Sequence, residues 1–343
     1  MLISDFYFDL PEELIAQAPL ERRESSRMLI VNQNEKTFAD ENFYNFPRFL
    51  KKTDVLVLNN TKVFPARLFG ESETGAKIEL FLVQNLENQI WETLAKPARR
   101  LKTGKRIRFG ENLRAEVLDK NEEGRVVVQF ETQKDFDEVL DEIGQTPLPP
   151  YIRRADGYSH KDRERYQTVF AKNRGAIAAP TAGLHFTPEV LDEIKNRGVE
   201  IAEITLHVGY GTFEPVRVSD LSEHKVMPED CEIGKETSEI LNRAKAENKR
   251  IIAVGTTSAR ALESFTNENG KISTGKKAAG LTVTPGYKFR TVGGLLTNFH
   301  LPQSSLLVLV STFAGSELIM NAYRHAVESK YRFYSYGDCM LIL

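Results

Sequence analysis

The sequence predicts a Rossmann-like layered α/β domain interrupted by a small antiparallel β-barrel, and three observations carry that expectation. Strand-like and helix-like stretches alternate through the C-terminal half. A core strand, DVLVLNNT at 54–61, already stands ahead of them. Between the two, from about 75 to 130, lie only short β-branched and apolar segments parted by Gly, Asn and charged turns. Alternation of strand and helix calls for a sheet covered by helices, whereas strands in unbroken succession close into sandwiches or barrels. The expected division is a discontinuous α/β domain, residues 1–60 and 151–343, with residues 61–150 as the inserted barrel.

Along the chain each element has a local reason. The N-terminal MLISDFYFDLPEELIAQ is acidic where a signal peptide needs a basic start, so a cytoplasmic protein is expected. KIELFLV, IWETL, RIRFG, LRAEVLD and RVVVQF read as barrel strands, with turns such as NEEGR at 121–125. An acidic helix, DFDEVLDEIG, follows, and TPLPPY at 146–151 reads as a stiff linker. Thr187 and Pro188 supply an N-cap and first-turn proline for EVLDEIKNR, and Gly198 stands at its C′ position before the strand VEIAEITLHV. ETSEILNRAKAEN puts Thr237, Ile240, Leu241 and Ala244 on one helical face, and RIIAVG reads as a buried parallel strand. SSLLVLVSTFAG at 304–315 falls short of the roughly 20 residues a membrane helix needs and is expected as a core helix or strand. SELIMNAYRHAVES repeats the helical spacing with Ile319, Ala322, Tyr323, Ala326 and Val327.

Composition bounds the function. With 41% hydrophobic and 27% charged residues over 343 positions, the chain has the make-up of a folded globular protein. Cys231 and Cys339 lie far apart and form no zinc or disulfide pattern, which fits a reducing compartment. The formal net charge of −2 argues against a surface that attracts polyanions everywhere. Residues 96–108, KPARRLKTGKRIR, nevertheless hold seven basic residues and no acid, and Arg153 and Arg154 add a second cluster. Such patches suit a polyanion footprint or, equally, a solvated strand edge guarded by lysines.

Four loops rich in glycine or hydroxyls end predicted strands: APTAGLHF (179–186), HVGYGTF (207–213), GTTSAR (255–260) and TNFHLPQSS (297–305). Ligands of open α/β sheets bind beyond the carboxyl ends of the strands, so these loops are expected to converge on one pocket. In GTTSAR a strand ends and a helix starts, which offers hydroxyls and backbone N–H groups to a carboxylate, ribose or phosphate; Ser258 as a plain N-cap is the competing reading. HVGYGTF has Glu214 where a dinucleotide fingerprint needs its third glycine. His185, His207 and His300 fall inside these loops without metal-ligand spacing, which favours proton transfer or hydrogen bonding over a metal, with packing as the alternative. His160 and His325 read as solvated or packing residues. YRFYSYGD at 331–338 mixes aromatics with charge, as a base-stacking surface or a core closure would. A metal-dependent hydrolase and a non-catalytic RNA-binding protein are the rival readings.

Eight blocks then carry a family resemblance: DFYFDLPEELIAQAPLERRESSRML, VLNNTKVFPARL, LPPYIRR, YQTVFA with APTAGLHFT, TLHVGYGTFEPV, AVGTTSARALE, LLTNFHLPQSSLLVLVSTFAG and AYRHAVESKYRFYSYGDCMLI. In that order, over essentially the whole chain, they resemble the S-adenosylmethionine:tRNA ribosyltransferase-isomerases of queuosine biosynthesis. The resemblance implies a pentosyl-type transferase that moves the ribosyl part of S-adenosylmethionine onto the aminomethyl nitrogen of a 7-deazaguanine base at the tRNA wobble position. Adenine and methionine leave, and the product is epoxyqueuosine. S-adenosylmethionine is the implied co-substrate and tRNA the implied partner, with no prosthetic group, metal or membrane, and a cytoplasmic monomer is expected.

The resemblance also assigns roles to residues. His185, His207 and His300 take the proton roles. Thr256, Thr257 and Ser258 hold the methionine carboxylate or ribose hydroxyls, and Gly183, Gly209 and Gly211 let backbone approach the co-substrate. Tyr334 or Tyr336 stacks on a base, and Thr181, Arg260, Asn298 and Asp338 complete the binding site. Lys62, Arg67, Arg99, Arg100, Arg153 and Arg154 meet tRNA phosphates. One departure stands out: the family commonly reads H-x-M-H-x-E where this chain has HKVMPE, so Met227 occupies the second histidine's place and His224 is not a first-rank candidate.

Overall fold

The computed structural model describes residues 1–121, 124–154 and 160–343, without the side chains of Arg100, His160 and Phe213. The expected phosphate contact of Arg100, the packing reading of His160 and part of the 121–125 turn thus lie outside the described residues. The α/β part is a nine-stranded mixed sheet. Its centre is four parallel strands, in the order Glu200–Leu206, Val55–Asn59, Ile251–Val254 and Gly294–Asn298. Glu229–Ile233 and Gly275–Ala279 extend one side antiparallel. Cys339–Ile342, Arg27–Asn32 and Thr37–Asn42 extend the other.

Both faces of the central strands are covered, which is why DVLVLNNT and RIIAVG read as unbroken apolar runs. Val55 and Val57 enter a core shared with helices Lys235–Ala246, Thr256–Phe265, Ser305–Ala314 and Ser316–Glu328. Leu56 and Leu58, pointing the other way, pack with helix Pro188–Asn196 and the short turn Phe43–Phe49. Each such side chain contributes about 1.5–3 kcal/mol on burial. The helix signals hold as well. The Thr187 hydroxyl accepts the Val190 N–H at 3.3 Å, and Gly198 ends the helix at φ +78°, a left-handed conformation open to glycine at no steric cost. SSLLVLVSTFAG is a helix capped by Ser304.

The inserted part closes as a six-stranded antiparallel barrel, Arg67–Ser72, Lys77–Glu87, Ile90–Lys96, Arg106–Phe109, Leu113–Lys120 and Val126–Glu131. Helix Phe136–Ile143 seals its core with Val139 and Leu140. The first barrel strand lies ahead of the stretch predicted from residue 75. Gly70 interrupts its β-branched pattern there, because a Cβ would come within 2.5 Å of the Arg108 carbonyl and 2.6 Å of the Phe109 ring. TPLPPY is a packed segment and not an exposed linker: Leu148 is 1% exposed, in the α/β core together with Ile152. Among the described residues no single helix is long and apolar enough to cross a membrane; the apolar pair Ser305–Ala314 and Ser316–Glu328 is bent by 119° and belongs to the core.

Candidate active site

Because the four central strands are parallel, their carboxyl ends share one side of the sheet. The loops leaving them build two chambers together with barrel residues and the segment after Asn173–Ala176, a strand that pairs with Thr61–Val63 in a separate two-stranded sheet. The inner pocket lies between Ala179–Thr181, Gly255–Thr257 and Thr297–His300, with Tyr151, Tyr166 and Tyr334 closing it. It holds about 590 Å³ of atom-free space, part of it open to solvent. Helix Thr256–Phe265 starts at its wall behind Gly255, at φ +91°, with no side-chain cap on its first N–H groups. An uncapped helix start beside two threonine hydroxyls is a seat for a carboxylate or sugar hydroxyl. His300 is buried, shares a 3.0 Å hydrogen bond through Nε2 with the Thr297 hydroxyl, and is pushed down to about 3 by burial, so its imidazole is neutral at physiological pH.

The outer cleft opens between the barrel and the sheet, with about 1330 Å³ of atom-free space. Phe64, Trp91 and Tyr210 give it aromatic walls, and Arg125 and Arg174 give it charge. Trp91 Nε1 is a buried donor without a partner. His207 lines this cleft: its Nδ1 shares a 2.8 Å hydrogen bond with the Thr61 hydroxyl, and its ring lies against Gly175, where a Cβ would meet it at 2.7 Å. Burial lowers its pKa, while the Asp230 and Glu232 carboxylates pull the other way.

Val208 lines both chambers, and a small recess walled by Gly211, Thr212, Leu306 and the Arg260–Glu229 ion pair adjoins each of them. Arg260 reaches Glu229 at 2.9 Å and donates to the Ala279 and Leu281 carbonyls, while Glu229 also accepts the Gly209 N–H at 3.0 Å. Burial raises the Glu229 carboxyl, opposed chiefly by the Arg260 charge. Met227 sits under Gly211, where a Cβ would approach it to 2.9 Å, and its sulfur lies 3.9 Å from Arg125.

Several expected site residues have other tasks. His185 lines neither chamber. Asn298 donates to the Tyr334 and Ser335 carbonyls at 2.8 and 3.3 Å, so its amide oxygen faces His185. His185 Nε2–H therefore donates to that oxygen at 3.0 Å, and Nδ1 accepts from the Ser26 hydroxyl at 2.7 Å. Burial, with the Arg332 and Arg23 charges, holds it down to about 4, against the Asn298 bond. Both nitrogens of His185 are thus engaged within the protein, and through Asn298 the ring is linked to the Tyr334 carbonyl. Tyr334 is in the pocket at φ +75°, its ring edge-on to Tyr151 with centroids 3.8 Å apart. Tyr336 points into a separate recess.

Ser258 is fully buried, its hydroxyl donates to the Val254 carbonyl at 2.7 Å, and the N-cap position of the helix is Gly255. The Asp338 carboxylate accepts the Arg27 and Arg332 backbone N–H groups, at 2.9 and 2.8 Å, and ties the chain end to the sheet. Gly183 makes room for Phe170, which a Cβ would meet at 2.7 Å. Of the expected phosphate contacts, Lys62 and Arg99 are exposed. Arg67 pairs with Glu79, Arg153 with Glu12 and Arg154 with the buried Asp162. Trp91, Tyr151, Tyr166 and Glu229 are not among the residues expected from sequence; Glu229 stands two positions after Met227 in HKVMPE, and Tyr151 two before Arg153 in LPPYIRR.

With that geometry in place, the chain can be compared with known proteins. Residues 3–342 match the family described as queuosine biosynthesis protein. A Natranaerobius thermophilus relative named S-adenosylmethionine:tRNA ribosyltransferase-isomerase is 48% identical over 345 residues, covering 100% of this chain and 99% of that relative. One of the same name from Caldanaerobacter subterraneus is 50% identical over 342 residues, covering 99% of each. Among solved structures, the crystal structure of S-adenosylmethionine tRNA ribosyltransferase from Thermotoga maritima covers 99% of this chain and 100% of that one, at 35% identity and a TM-score of 0.55.

Proposed function

The chain belongs to the queuosine biosynthesis family of S-adenosylmethionine:tRNA ribosyltransferase-isomerases, and on that premise we propose that the inner pocket takes S-adenosylmethionine and the outer cleft the tRNA base that receives its ribosyl group. The observation that carries this division is the contrast in unsatisfied groups. The inner pocket offers uncapped N–H groups and the Thr256 and Thr257 hydroxyls, which suit a methionine carboxylate and a ribose. The outer cleft offers Trp91, Phe64 and Tyr210, which suit a base taken out of its stack.

In this reading the carbon beside the sulfonium loses its proton to His207, whose lowered pKa keeps it neutral and able to accept. The electron pair left behind forms a double bond to the neighbouring sugar carbon as that carbon's bond to the ring oxygen breaks. The oxygen's pair becomes a carbonyl at the anomeric carbon and adenine leaves with its C–N pair, neutral His300 donating a hydrogen bond to it. The aminomethyl nitrogen then bonds to that carbonyl carbon, a proton passing from nitrogen to oxygen. Methionine departs with the C–S electron pair as a sugar oxygen bonds to the carbon that bore sulfur and closes the epoxide. Thr181 and Asn298 wall the S-adenosylmethionine side, and Tyr334, pinned through Asn298, closes over it. Gly209 and Gly211, with Arg260 behind them, keep the passage between the chambers open to backbone-close approach. Lys62 and Arg99 are the exposed cations offered to phosphates.

The unit doing chemistry is residues 1–60 and 151–343, with 61–150 as the insert that supplies Trp91 and Arg125. It acts as a cytoplasmic monomer without a prosthetic group; the two buried free cysteines support the reducing compartment in that reading. The test is incubation of the purified protein with S-adenosylmethionine and hypomodified tRNA. Free adenine in amounts matching modified tRNA is expected; its absence overturns the proposal.

A further inference from the structure

Outside both chambers, Arg23 and Arg165 come together without an ion-paired carboxylate among the described residues. The segment around Pro19–Arg23 meets Arg165 and Ser335–Gly337 around a recess with about 310 Å³ of atom-free space, part of it open to solvent. Arg23 donates to the carbonyls of Gln167 and Glu164 at 2.6 and 3.0 Å. Arg165 donates to those of Leu20 and Glu21 at 2.6 and 3.1 Å. Both guanidiniums are thus held by neutral oxygens, and among the described residues neither has a carboxylate within ion-pairing distance. They also act on each other: burial lowers the Arg23 pKa most, and the Arg165 charge adds to it, with exposed Glu164 only partly offsetting.

Donors accumulate here without acceptors. Arg165 Nε and the Tyr336 hydroxyl are buried polar atoms with no hydrogen-bond partner, and Tyr336 is only 5% exposed. Behind them Arg332 Nη1 is likewise buried and unpartnered. Holding like charges together and leaving buried donors unmet each cost stability. An occupant that reverses both costs must be anionic and rich in acceptors, as a phosphodiester is.

We propose that the Arg23–Arg165–Tyr336 recess binds a phosphodiester of the tRNA backbone. The assignment rests on the reading that this chain acts on tRNA, and position supports it: Ser335 lines both the recess and the inner pocket, so a phosphate seated here lies next to the chambers where the modified nucleotide is handled. None of the residues first expected at phosphates lines this recess.

The test uses the intact chain with Tyr336→Phe and Arg165→Gln, titrated with hypomodified tRNA across a salt series. Tyr336→Phe removes a hydroxyl that bonds to nothing in the protein, so its melting temperature should not fall. It should bind tRNA several-fold more weakly. Arg165→Gln should lose about tenfold in affinity and make the log Kd against log salt slope shallower by about one phosphate contact. S-adenosylmethionine affinity should be unchanged in both. Wild-type tRNA affinity and slope in both variants would overturn the proposal. So would inorganic phosphate stabilising the wild type but not Arg165→Gln while tRNA binding stays equal, which would assign the recess to free phosphate. A wild-type protein that releases no adenine would sink the functional reading instead, whatever the variants do.

Discussion

The inner pocket and the outer cleft are built by different parts of the chain and differ in what they leave open. Loops of the α/β part, with Tyr151 and Tyr166, wall the inner pocket, its histidine is buried and neutral, and its free groups are hydroxyls and a helix start. The outer cleft borrows Phe64, Trp91 and Arg125 from the barrel side, and its histidine is half-buried with carboxylates nearby. Two chambers of different chemistry that share Val208 in their linings suit a reaction that must hold two unlike substrates and bring them together only at the reacting atoms. The Arg260–Glu229 pair stands beside them, in the recess that adjoins both.

The sharpest way to break this contrast is at the histidines. His207→Gln should slow single-turnover adenine release by about 10²–10⁴-fold, the range for loss of a general base, with little change in melting temperature. His300→Gln should lose less, because a neutral hydrogen bond is replaced by another. Equal losses would erase the distinction between the chambers. Next in size is the Arg260–Glu229 pair in the adjoining recess. Glu229→Ala leaves Arg260 buried and uncompensated, which should cost about 3–5 kcal/mol in denaturant titrations.

Acid should separate the regions by a different route. His185 and His300 have folded pKa values of about 4 and about 3, below the ordinary 6.5. The unfolded chain therefore binds protons that the folded chain refuses, so stability is full above about pH 6.5 and falls as pH drops through that value. By pH 5 the loss should be about 2 kcal/mol per histidine, and His185→Gln should remove one share. A melting temperature flat from pH 7 to 5 would contradict the buried, neutral assignment. The smallest effect is expected at Ser258→Ala: about 1 kcal/mol of stability for its hydrogen bond to Val254, with S-adenosylmethionine affinity intact.

Much of the fold was legible because its signals are local. Apolar runs in DVLVLNNT and RIIAVG, the Thr187 cap and Gly198 act within a few residues, and each element formed where they said. The strand Arg67–Ser72 was not legible, since Gly70 is explained only by the Arg108 carbonyl across the barrel. The site was legible as a set of loops and not as a set of roles. His185, His207 and His300 look alike in sequence. What separates them are Ser26 and Asn298 at His185, Thr61 at His207 and Thr297 at His300, and most of these partners are more than 100 residues away. Ser258 and Asp338 illustrate the same limit of sequence: a hydroxyl or carboxylate beside a pocket is indistinguishable there from one that bonds backbone, as these two do. Trp91 and Tyr151 lie in segments with no pocket signature, and only the closure of the barrel and the packing of the 146–151 segment bring them to the site.

The division of the two chambers is most directly tested by a crossed titration. S-adenosylmethionine and hypomodified tRNA should each be titrated against Thr257→Val, in the inner pocket, and Trp91→Ala, in the outer cleft. Thr257→Val should weaken S-adenosylmethionine and leave tRNA unchanged, while Trp91→Ala should weaken tRNA by about 1–3 kcal/mol, the value of one stacked base, and leave S-adenosylmethionine unchanged. The reverse pattern, or both ligands weakened alike by both variants, would contradict it.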